Sequence, residues 1–170
     1  RALRFLSRLE TSVIRRSDFL LTHTLSHRDN LCQIDRLDAG RFSIIPHGTD
    51  DPPGGPVDCG EPSASRGPRF LYVGTFGRRK GTDVLLAAIP LVLAAHPAAE
   101  FVIAGRHHES PWWPQFLERN GPKITSRVQC LGAVSADELA RLYLECDVVV
   151  APSRYESFGL VYIEGMSRGK

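Results

Sequence analysis

The sequence predicts an α/β fold built on a Rossmann-like, doubly wound parallel sheet. From Arg69 onward, short apolar runs alternate with stretches of helical period. Parallel strands require such crossover helices, because the chain must return to the same end of the sheet after each strand. Two of the apolar runs are followed by loops that contain glycines and charged residues. Since ligands bind beyond the carboxyl ends of parallel strands, these two loops mark the expected site.

Composition and charge describe an ordinary globular protein. Of the 170 residues 42% are hydrophobic and 24% are charged, and the net charge of +2 gives no reason to expect a nucleic-acid partner. No apolar run approaches the roughly 18 residues that span a bilayer, and no signal-peptide pattern is present, so we expect a cytoplasmic protein. The only methionine is Met166. Because the sequence has no starting methionine, we expect a piece of a longer chain, truncated at both ends.

The first 50 residues predict two helices and two strands. The helices cover Arg1–Ser17 and Ser26–Leu37, with Ser26 as N-cap, and the strands cover Asp18–His23, expected to be buried, and Arg41–Pro46. The first helix has an apolar stripe and a basic face, which is typical of a helix packed on a sheet. Such a helix also suits an anionic membrane surface, so peripheral contact at the inner face of the plasma membrane stays open as an alternative.

Residues 51–68 predict a linker. They include five prolines and four glycines, a composition that cannot build a regular element. The chain is therefore expected to divide into residues 1–50, the tail of one domain, and residues 69–170, a second and incomplete domain.

The second part predicts four strands, each followed by a helix. The strands are Phe70–Val73, Glu100–Ala104, Arg127–Leu131 and Asp147–Ala151. The helices are Gly81–His96 with Pro90 inside it, Pro111–Asn120, Ser135–Cys146, and one that starts near Phe158. Ser135 and Glu138 have the spacing of a capping box at the third of these helices.

The loop after the first of these strands, Gly74–Gly81, has the composition of a phosphate site. Gly74 permits close approach of a ligand to the backbone. Arg78, Arg79 and Lys80 supply cations, an arginine as a fork and the lysine as a mobile point charge. Alone, such a loop is more often an exposed turn. Its place at the ligand edge of the sheet favours the phosphate interpretation.

The last strand leads into a polar loop and a helix, with an acid on either side of the helix start. Glu156 lies in the loop and Glu164 in the helix. The amides of Phe158 to Leu160 are expected in the first turn, where N–H groups lack an intrahelical acceptor and attract an anion. Carboxylates accept hydrogen bonds from hydroxyls, so a nucleoside diphosphate linked to a sugar suits this arrangement.

The segment over residues 152–164 resembles the donor-binding signature of the retaining glycosyltransferases of family 4, also called glycosyl transferases group 1. The positions that match its P-S-x-x-E-x-F-G-L-x-x-x-E pattern are Pro152, Ser153, Glu156, Phe158, Gly159, Leu160 and Glu164. The glycine–arginine loop resembles the family's V-G-R-L-x-x-x-K-G segment at Val73, Gly74, Lys80 and Gly81. Pro46–Asp50 resembles the segment where the family's chain leaves its first domain, with His47 in place of the usual asparagine.

The resemblance implies the C-terminal half of a two-domain B-type glycosyltransferase fold. It implies transfer of a hexose-type sugar from a UDP-, GDP- or ADP-sugar to an acceptor that remains unidentified, with retention of anomeric configuration. No metal or other cofactor is expected. The missing N-terminal domain would hold the acceptor, so this piece alone is expected to transfer little.

The resemblance also assigns roles to single residues. Glu156 is expected at the hydroxyls of the transferred sugar, with Lys80 and Arg79 at the diphosphate as the other catalytic residues. Glu164 is expected at the ribose. The full set of expected donor-binding residues is Gly74, Thr75, Arg78, Ser157, Phe158, Gly159, Leu160 and Glu164.

One departure from the family pattern leaves other functions open. Thr75 stands where the family usually has an arginine that contacts the diphosphate, although Arg78 or Arg79 can compensate. The alternatives are a non-catalytic sugar-nucleotide-binding module and a sugar-nucleotide epimerase or phosphorylase of the same fold. The intact pair of glutamates, Glu156 and Glu164, argues against an epimerase and against a phosphorylase.

Three other features predict structure rather than chemistry. His107–Glu109 lacks a third metal ligand at a recognisable spacing and predicts a solvent loop. Trp112 and Trp113 are expected to pack locally, with stacking on a sugar or contact with another domain as the alternatives. The cysteines show no metal-ligand spacing, which predicts buried, reduced thiols at Cys32, Cys59, Cys130 and Cys146.

Overall fold

The computed structural model describes residues 2–49, 66–107 and 110–170, apart from the side chains of residues 2–8. The chain divides into two compact units, Arg1–Gly48 and Thr49–Lys170. The predicted linker over 51–68 lies outside the described residues except for its last three positions. Within the described ranges, no helix has the length and apolar character needed to cross a membrane.

The first unit contains a two-stranded parallel sheet. Its elements are α1 (Ala2–Arg16), β1 (Leu20–Thr22), α2 (Leu25–Asp35), a short 3-10 helix (Ala39–Arg41) and β2 (Phe42–Ile44). Leu20 pairs with Phe42 in the parallel register. The predicted elements are therefore present, although both strands are shorter than expected.

Two details predicted for this unit are wrong. Thr24, rather than Ser26, caps α2, because its hydroxyl accepts the N–H of His27 at 3.1 Å and the helix begins two residues earlier. The strand β1 is not buried throughout, since Leu21 is 68% exposed. A strand with a single neighbour in a two-stranded sheet has few residues to cover it, and Thr22 is the one residue of β1 that is buried.

The second unit alternates strands and helices as predicted. Its strands are β3 (Arg69–Val73), β4 (Glu100–Ala104), β5 (Val128–Gly132) and β6 (Val148–Val149). Its helices are α3 (Thr82–Ala95), α4 (Trp112–Arg119), α5 (Pro122–Thr125), α6 (Ala136–Glu145) and α7 (Leu160–Met166). The strand β6 is shorter than predicted, and the single turn α5 was not predicted because four residues are too few to show a helical period.

All four strands of this sheet are parallel, in the order β5-β4-β3-β6. Each face is covered by its own apolar cluster, which confirms the doubly wound α/β fold. Successive residues of β3 point to opposite faces. Tyr72 accordingly packs with Leu85 and Ile89 of α3, whereas Leu71 packs with Leu142 of α6. Full burial of each such leucine or isoleucine contributes roughly 1.5–3 kcal/mol.

Candidate functional site

The direction of the connections reverses between β3 and β6, so a ligand crevice is expected at the carboxyl ends of these two strands. The connections from β3 to β4 and from β4 to β5 lead to one side of β3, whereas the connection to β6 returns to its other side. In an open α/β sheet, ligands bind at this point of reversal, beyond the carboxyl ends of the strands. The two loops that meet there are the β3–α3 loop, Gly74–Gly81, and the β6–α7 loop, Val150–Gly159. Both were singled out from the sequence.

Hydrogen bonds hold the β3–α3 loop in a compact turn. Thr82 is fully buried, and its hydroxyl accepts the N–H of Gly77 at 3.2 Å and pairs with the hydroxyl of Tyr72 at 2.9 Å. The N–H of Lys80 donates to the carbonyl of Gly77 at 3.1 Å. Burial raises the pKa of Tyr72, so its phenol is protonated at neutral pH. The backbone of the loop is therefore fixed, while Arg78 and Arg79 are exposed.

Gly81 brings the two loops into contact at the level of the main chain. It is the N-cap residue of α3 and has a φ of 65°, in the left-handed region. A Cβ at this position would overlap the carbonyl oxygen of Pro152. Both observations restrict the position to glycine.

Lys80 and Glu156 form an ion pair across the crevice. The Lys80 Nζ lies 2.5 Å from the Glu156 Oε1, and the same oxygen accepts the hydroxyl of Ser153 at 2.8 Å. The side chain of Lys80 is 24% exposed and that of Glu156 is 18% exposed. A cation and a carboxylate that can accept hydroxyl groups therefore lie together where the direction of the strand connections reverses. Each is partly removed from solvent.

The carboxyl group of Glu156 is ionised at neutral pH although it is largely buried. Burial acts to raise its pKa, but the hydrogen bonds from Lys80 and Ser153 outweigh burial and hold the pKa below its usual value. The nearby positive charges of Lys80 and Arg79 act in the same direction. Ser153 matched the family signature without an assigned role, and the structure shows that it supports Glu156.

Arg154 ties the two loops together, a role that was not predicted. Its guanidinium makes a two-pronged contact with Asp83, at 2.7 and 2.9 Å, and donates to the carbonyl of Arg78 at 2.8 Å. Its backbone N–H donates to the carbonyl of Arg79 at 2.8 Å. Asp83 lies 71 positions away in the sequence, so no local pattern pointed to this contact.

The exposed face of the β3–α3 loop carries Thr75, Arg78 and Arg79. Within the described part of the chain, no hydrogen bond engages their side chains. Arg79 is close enough to influence the ionisation of Glu156. The two guanidinium groups can therefore reach an anionic ligand without first breaking a hydrogen bond to a described residue.

The start of α7 was predicted incorrectly. The helix begins at Leu160, not near Phe158, and Gly159 is its N-cap with a φ of 83°. The left-handed turn at Gly159 is what redirects the chain into the helix, so Ser157 and Phe158 belong to the preceding loop. The N–H groups that open the helix are consequently those of Leu160 and Val161, whereas the N–H of Tyr162 donates to the carbonyl of Gly159 at 2.9 Å.

Glu164 lies on α7 and contacts a residue of α6. Its Oε2 accepts the hydroxyl of Tyr143 at 2.5 Å, and its backbone carbonyl accepts the guanidinium of Arg168 at 3.0 Å. Tyr143 is 1% exposed. No feature of the sequence indicated Tyr143, because its separation of 21 residues from Glu164 matches no helical or strand period.

The two tryptophans and His107 pack against apolar and aromatic neighbours. Trp112 and Trp113 open α4 and pack against the apolar cluster on its face of the sheet, as expected. His107 contacts the rings of Phe76 and Trp113, whereas 108–109 lie outside the described residues. The described part of the chain has no group of three His, Cys, Asp or Glu side chains arranged to hold a metal.

The described cysteines are free thiols. Cys146 is buried, whereas Cys32 and Cys130 are only partly so. Cys59 lies outside the described residues. The expectation of buried, reduced thiols is therefore met for Cys146 and only in part for the other two.

Solved structures identify the fold of this chain. The structure of Anabaena HepE in complex with UDP-glucose superimposes with a TM-score of 0.75 at 19% identity, covering 96% of this chain and 46% of that one. At this identity the likeness shows the fold alone, and that fold is the B-type glycosyltransferase fold.

The chain belongs to the glycosyl transferases group 1, because it matches the model of that family over residues 67–170. It is similar to the glycogen synthase of Mycobacterium tuberculosis, with 28% identity over 95% of this chain and 38% of that protein. It is also similar to the D-inositol 3-phosphate glycosyltransferase of Rhodococcus opacus, with 32% identity over 94% of this chain and 38% of that protein. The chain thus spans less than two fifths of the length of these relatives.

Proposed function

We propose that this chain is the donor-binding part of a glycosyltransferase that transfers a sugar from a nucleotide-diphosphate sugar, with retention of anomeric configuration. The observation that carries the proposal is the pairing of Lys80 with Glu156 at the crevice between β3 and β6. Membership of the glycosyl transferases group 1 supports it. So does the complex of HepE, a protein of the same fold, with UDP-glucose.

The β3–α3 loop supplies the positive charge that a diphosphate requires. Lys80 lies at the crevice, and Arg78 and Arg79 are exposed on the same loop. Departure of a nucleoside diphosphate leaves negative charge on the phosphate oxygens, and fixed cations stabilise that charge most in the transition state. We therefore assign leaving-group stabilisation to Lys80 and Arg79, with Arg78 as a further phosphate contact.

Glu156 supplies the acceptor for hydroxyls of the transferred sugar. As an ionised carboxylate it offers about four acceptor positions, of which Lys80 and Ser153 occupy part on Oε1. A phosphate that attracts Lys80 would leave more of Glu156 for hydroxyl groups. Glu164, on the helix that follows, is assigned to the ribose hydroxyls. Front-face attack through an oxocarbenium-like state, as the family resemblance implies, needs neither acid as a nucleophile.

A non-catalytic binding module is the second candidate, and the observation that favours it is Thr75. Its side chain is exposed and uncharged where the family usually has an arginine. The exposed guanidinium groups of Arg78 and Arg79 on the same loop favour the enzyme. In the whole protein, donor binding without turnover that is restored by Thr75→Arg would favour the module.

A binding experiment tests the proposal. A panel of UDP-, GDP- and ADP-sugars is screened by thermal shift against the 170-residue chain, where a donor at 100 times its Kd adds about 2.7 kcal/mol and raises Tm by several degrees. Lys80→Met should weaken binding of the responding donor by about tenfold or more, since it removes a charge from the phosphate site. Lys123→Met, a change of an exposed lysine on α5, is the matched control. Equal affinities of the two variants would contradict the proposal.

Product analysis separates transfer from the other reactions. The chain alone is expected to bind a donor and transfer little sugar, because it spans only 38% of relatives such as the glycogen synthase. In the whole protein, formation of a glycoside with the donor's anomeric configuration would support a retaining transferase. An epimerised sugar nucleotide or a sugar phosphate would support the other reactions, and rapid transfer by this chain alone would contradict the assigned division of labour.

A further inference from the structure

Tyr143 directs a buried hydroxyl group at Glu164. Its ring is 1% exposed, and its Oη lies 2.5 Å from the Glu164 Oε2. The two residues belong to different helices, α6 and α7, on the same face of the sheet. The hydrogen bond therefore connects a side chain of the buried core to a carboxylate of the proposed donor site.

The position of the Tyr143 ring is fixed from several sides. It belongs to the apolar cluster that contains Leu71, Val102 and Leu142. The guanidinium of Arg168 lies 5.3 Å from the centre of the ring and also binds the backbone carbonyl of Glu164. This packing restricts the rotation of the side chain, so its hydroxyl group points to a defined place.

The chemistry of the pair makes Tyr143 a constant donor. Burial raises the pKa of Tyr143, and the hydrogen bond to Glu164 and the charge of that carboxylate raise it further. The phenol is therefore protonated throughout the physiological range. The hydrogen bond occupies one acceptor position on Oε2, and among the described residues no hydrogen bond to Oε1 is found, so Oε1 can accept from a ligand that donates hydroxyl groups.

We propose that Tyr143 is the positioning residue for Glu164, which it holds in the orientation that selects a nucleotide with ribose hydroxyl groups. The inference rests on the proposed function, because it assigns Glu164 to the ribose. Tyr143 itself does not touch the donor in this account. Its contribution is to restrict the rotation of a flexible glutamate before the ligand arrives, so that less entropy is lost on binding.

The test is the preference for ribose over deoxyribose. The Kd values of UDP and 2′-deoxy-UDP (or of the corresponding pair for the base that the donor panel identifies) are measured by calorimetry for the 170-residue chain. Glu164→Gln should lower the ratio of the two affinities by about tenfold, since it removes a charged acceptor of the 2′-hydroxyl. Tyr143→Phe, which removes only the hydroxyl group, should lower the same ratio several-fold. The double variant should lower it no further than Glu164→Gln does.

A matched control separates positioning from stability. Tyr72→Phe also removes the hydroxyl group of a buried tyrosine, but that group is bonded to Thr82 on the opposite face of the sheet. It is expected to leave the ratio unchanged, even if it weakens binding of both nucleotides. An unchanged ratio in Tyr143→Phe, or the same loss in Tyr72→Phe, would overturn the inference. An unchanged ratio in Glu164→Gln would instead refute the role of Glu164 in the proposed function.

A second measurement covers the case in which Tyr143→Phe does not fold. A phenol proton held by a carboxylate at this distance gives a downfield hydroxyl resonance in the NMR spectrum of the unsubstituted chain. The resonance should move upfield in Glu164→Gln, because an amide oxygen is a weaker acceptor than a carboxylate, which identifies it. It should persist when UDP binds to the unsubstituted chain. Its disappearance on UDP binding would show that Glu164 changes partner, and would overturn the inference.

Discussion

At the scale of single residues, the pairing of Lys80 with Glu156 is the central feature of the proposed donor site. Each side chain is only partly exposed, so each charge is stabilised chiefly by its neighbours. A phosphate group that approaches Lys80 must compete with a carboxylate at 2.5 Å. At the proposed site, affinity for the donor therefore reflects the difference in free energy between the Lys80–phosphate pair and the Lys80–Glu156 pair, rather than the full strength of the first.

Gly81 carries the first prediction at this scale. Gly81→Ala should destabilise the chain by about 2 kcal/mol or more, because a side chain is strained at positive φ and its Cβ would overlap the Pro152 carbonyl. The expected fall in Tm, measured by circular dichroism, is about 5 °C. Gly77→Ala is the control in the same loop, since its Cβ would have Thr75 O, at 4.0 Å, as its nearest contact. Equal changes in Tm would contradict this explanation.

At the scale of secondary-structure elements, the two loops form a single site because Arg154 joins them. It contacts the first turn of α3 at Asp83 and two carbonyl groups of the β3–α3 loop, at Arg78 and Arg79. Those contacts set the distance between Glu156 and the cations that are proposed to bind phosphate. The side chains of Arg154 and Asp83 are 42% and 34% exposed, so solvent screens the pair and its value lies in geometry more than in stability.

Arg154→Lys tests this account. The variant keeps the charge but loses the planar fork, so donor affinity should fall roughly five- to tenfold while Tm changes little. Both quantities can be measured in one thermal-shift titration. Arg141→Lys, on an exposed ion pair within α6, is the matched control and should change neither. A large fall in Tm without loss of affinity would mean that Arg154 acts in folding only.

At the scale of the whole molecule, stability and ligand binding are assigned to opposite ends of the sheet. Asp147 precedes β6 and lies at the amino end of the strands. Its carboxylate accepts the N–H of Arg69 at 2.7 Å and the guanidinium of Arg66 at 2.7 and 3.0 Å. The side chain of Asp147 is 15% exposed. Burial acts to raise its pKa, but the hydrogen bonds from Arg69 and Arg66 outweigh burial and lower it.

Asp147→Asn should therefore lower stability by about 1–3 kcal/mol at neutral pH and leave donor affinity unchanged. Because the folded state lowers the pKa of Asp147, its contribution is present above the unfolded value of about 4 and is lost as the pH falls through the folded value. The gap in unfolding free energy between the original chain and Asp147→Asn, measured with urea from pH 7 to pH 3, should accordingly narrow at the acid end. A gap that is constant with pH would rule out this assignment.

Sequence by itself determined most elements of the second unit and the edge at which its proposed site lies. Apolar periodicity reports which residues face a core, so β3, β4, β5 and α3 were predicted to within about two residues. Ser135 caps α6 as predicted, because capping depends on residues three apart. The glycine–arginine loop and the Glu156 loop follow parallel strands, and the ends of such strands share one edge.

Tertiary structure alone decided which side chains meet at that edge. The contacts of Lys80 with Glu156 and of Arg154 with Asp83 join residues more than 70 positions apart. Tyr143 reaches Glu164 only because α6 and α7 pack on one face of the sheet. The true start of α7, at Leu160, depends on a left-handed turn at Gly159. A glycine permits such a turn but does not impose it. Local patterns record burial and turn chemistry, whereas partners across the fold are selected by the order of the strands.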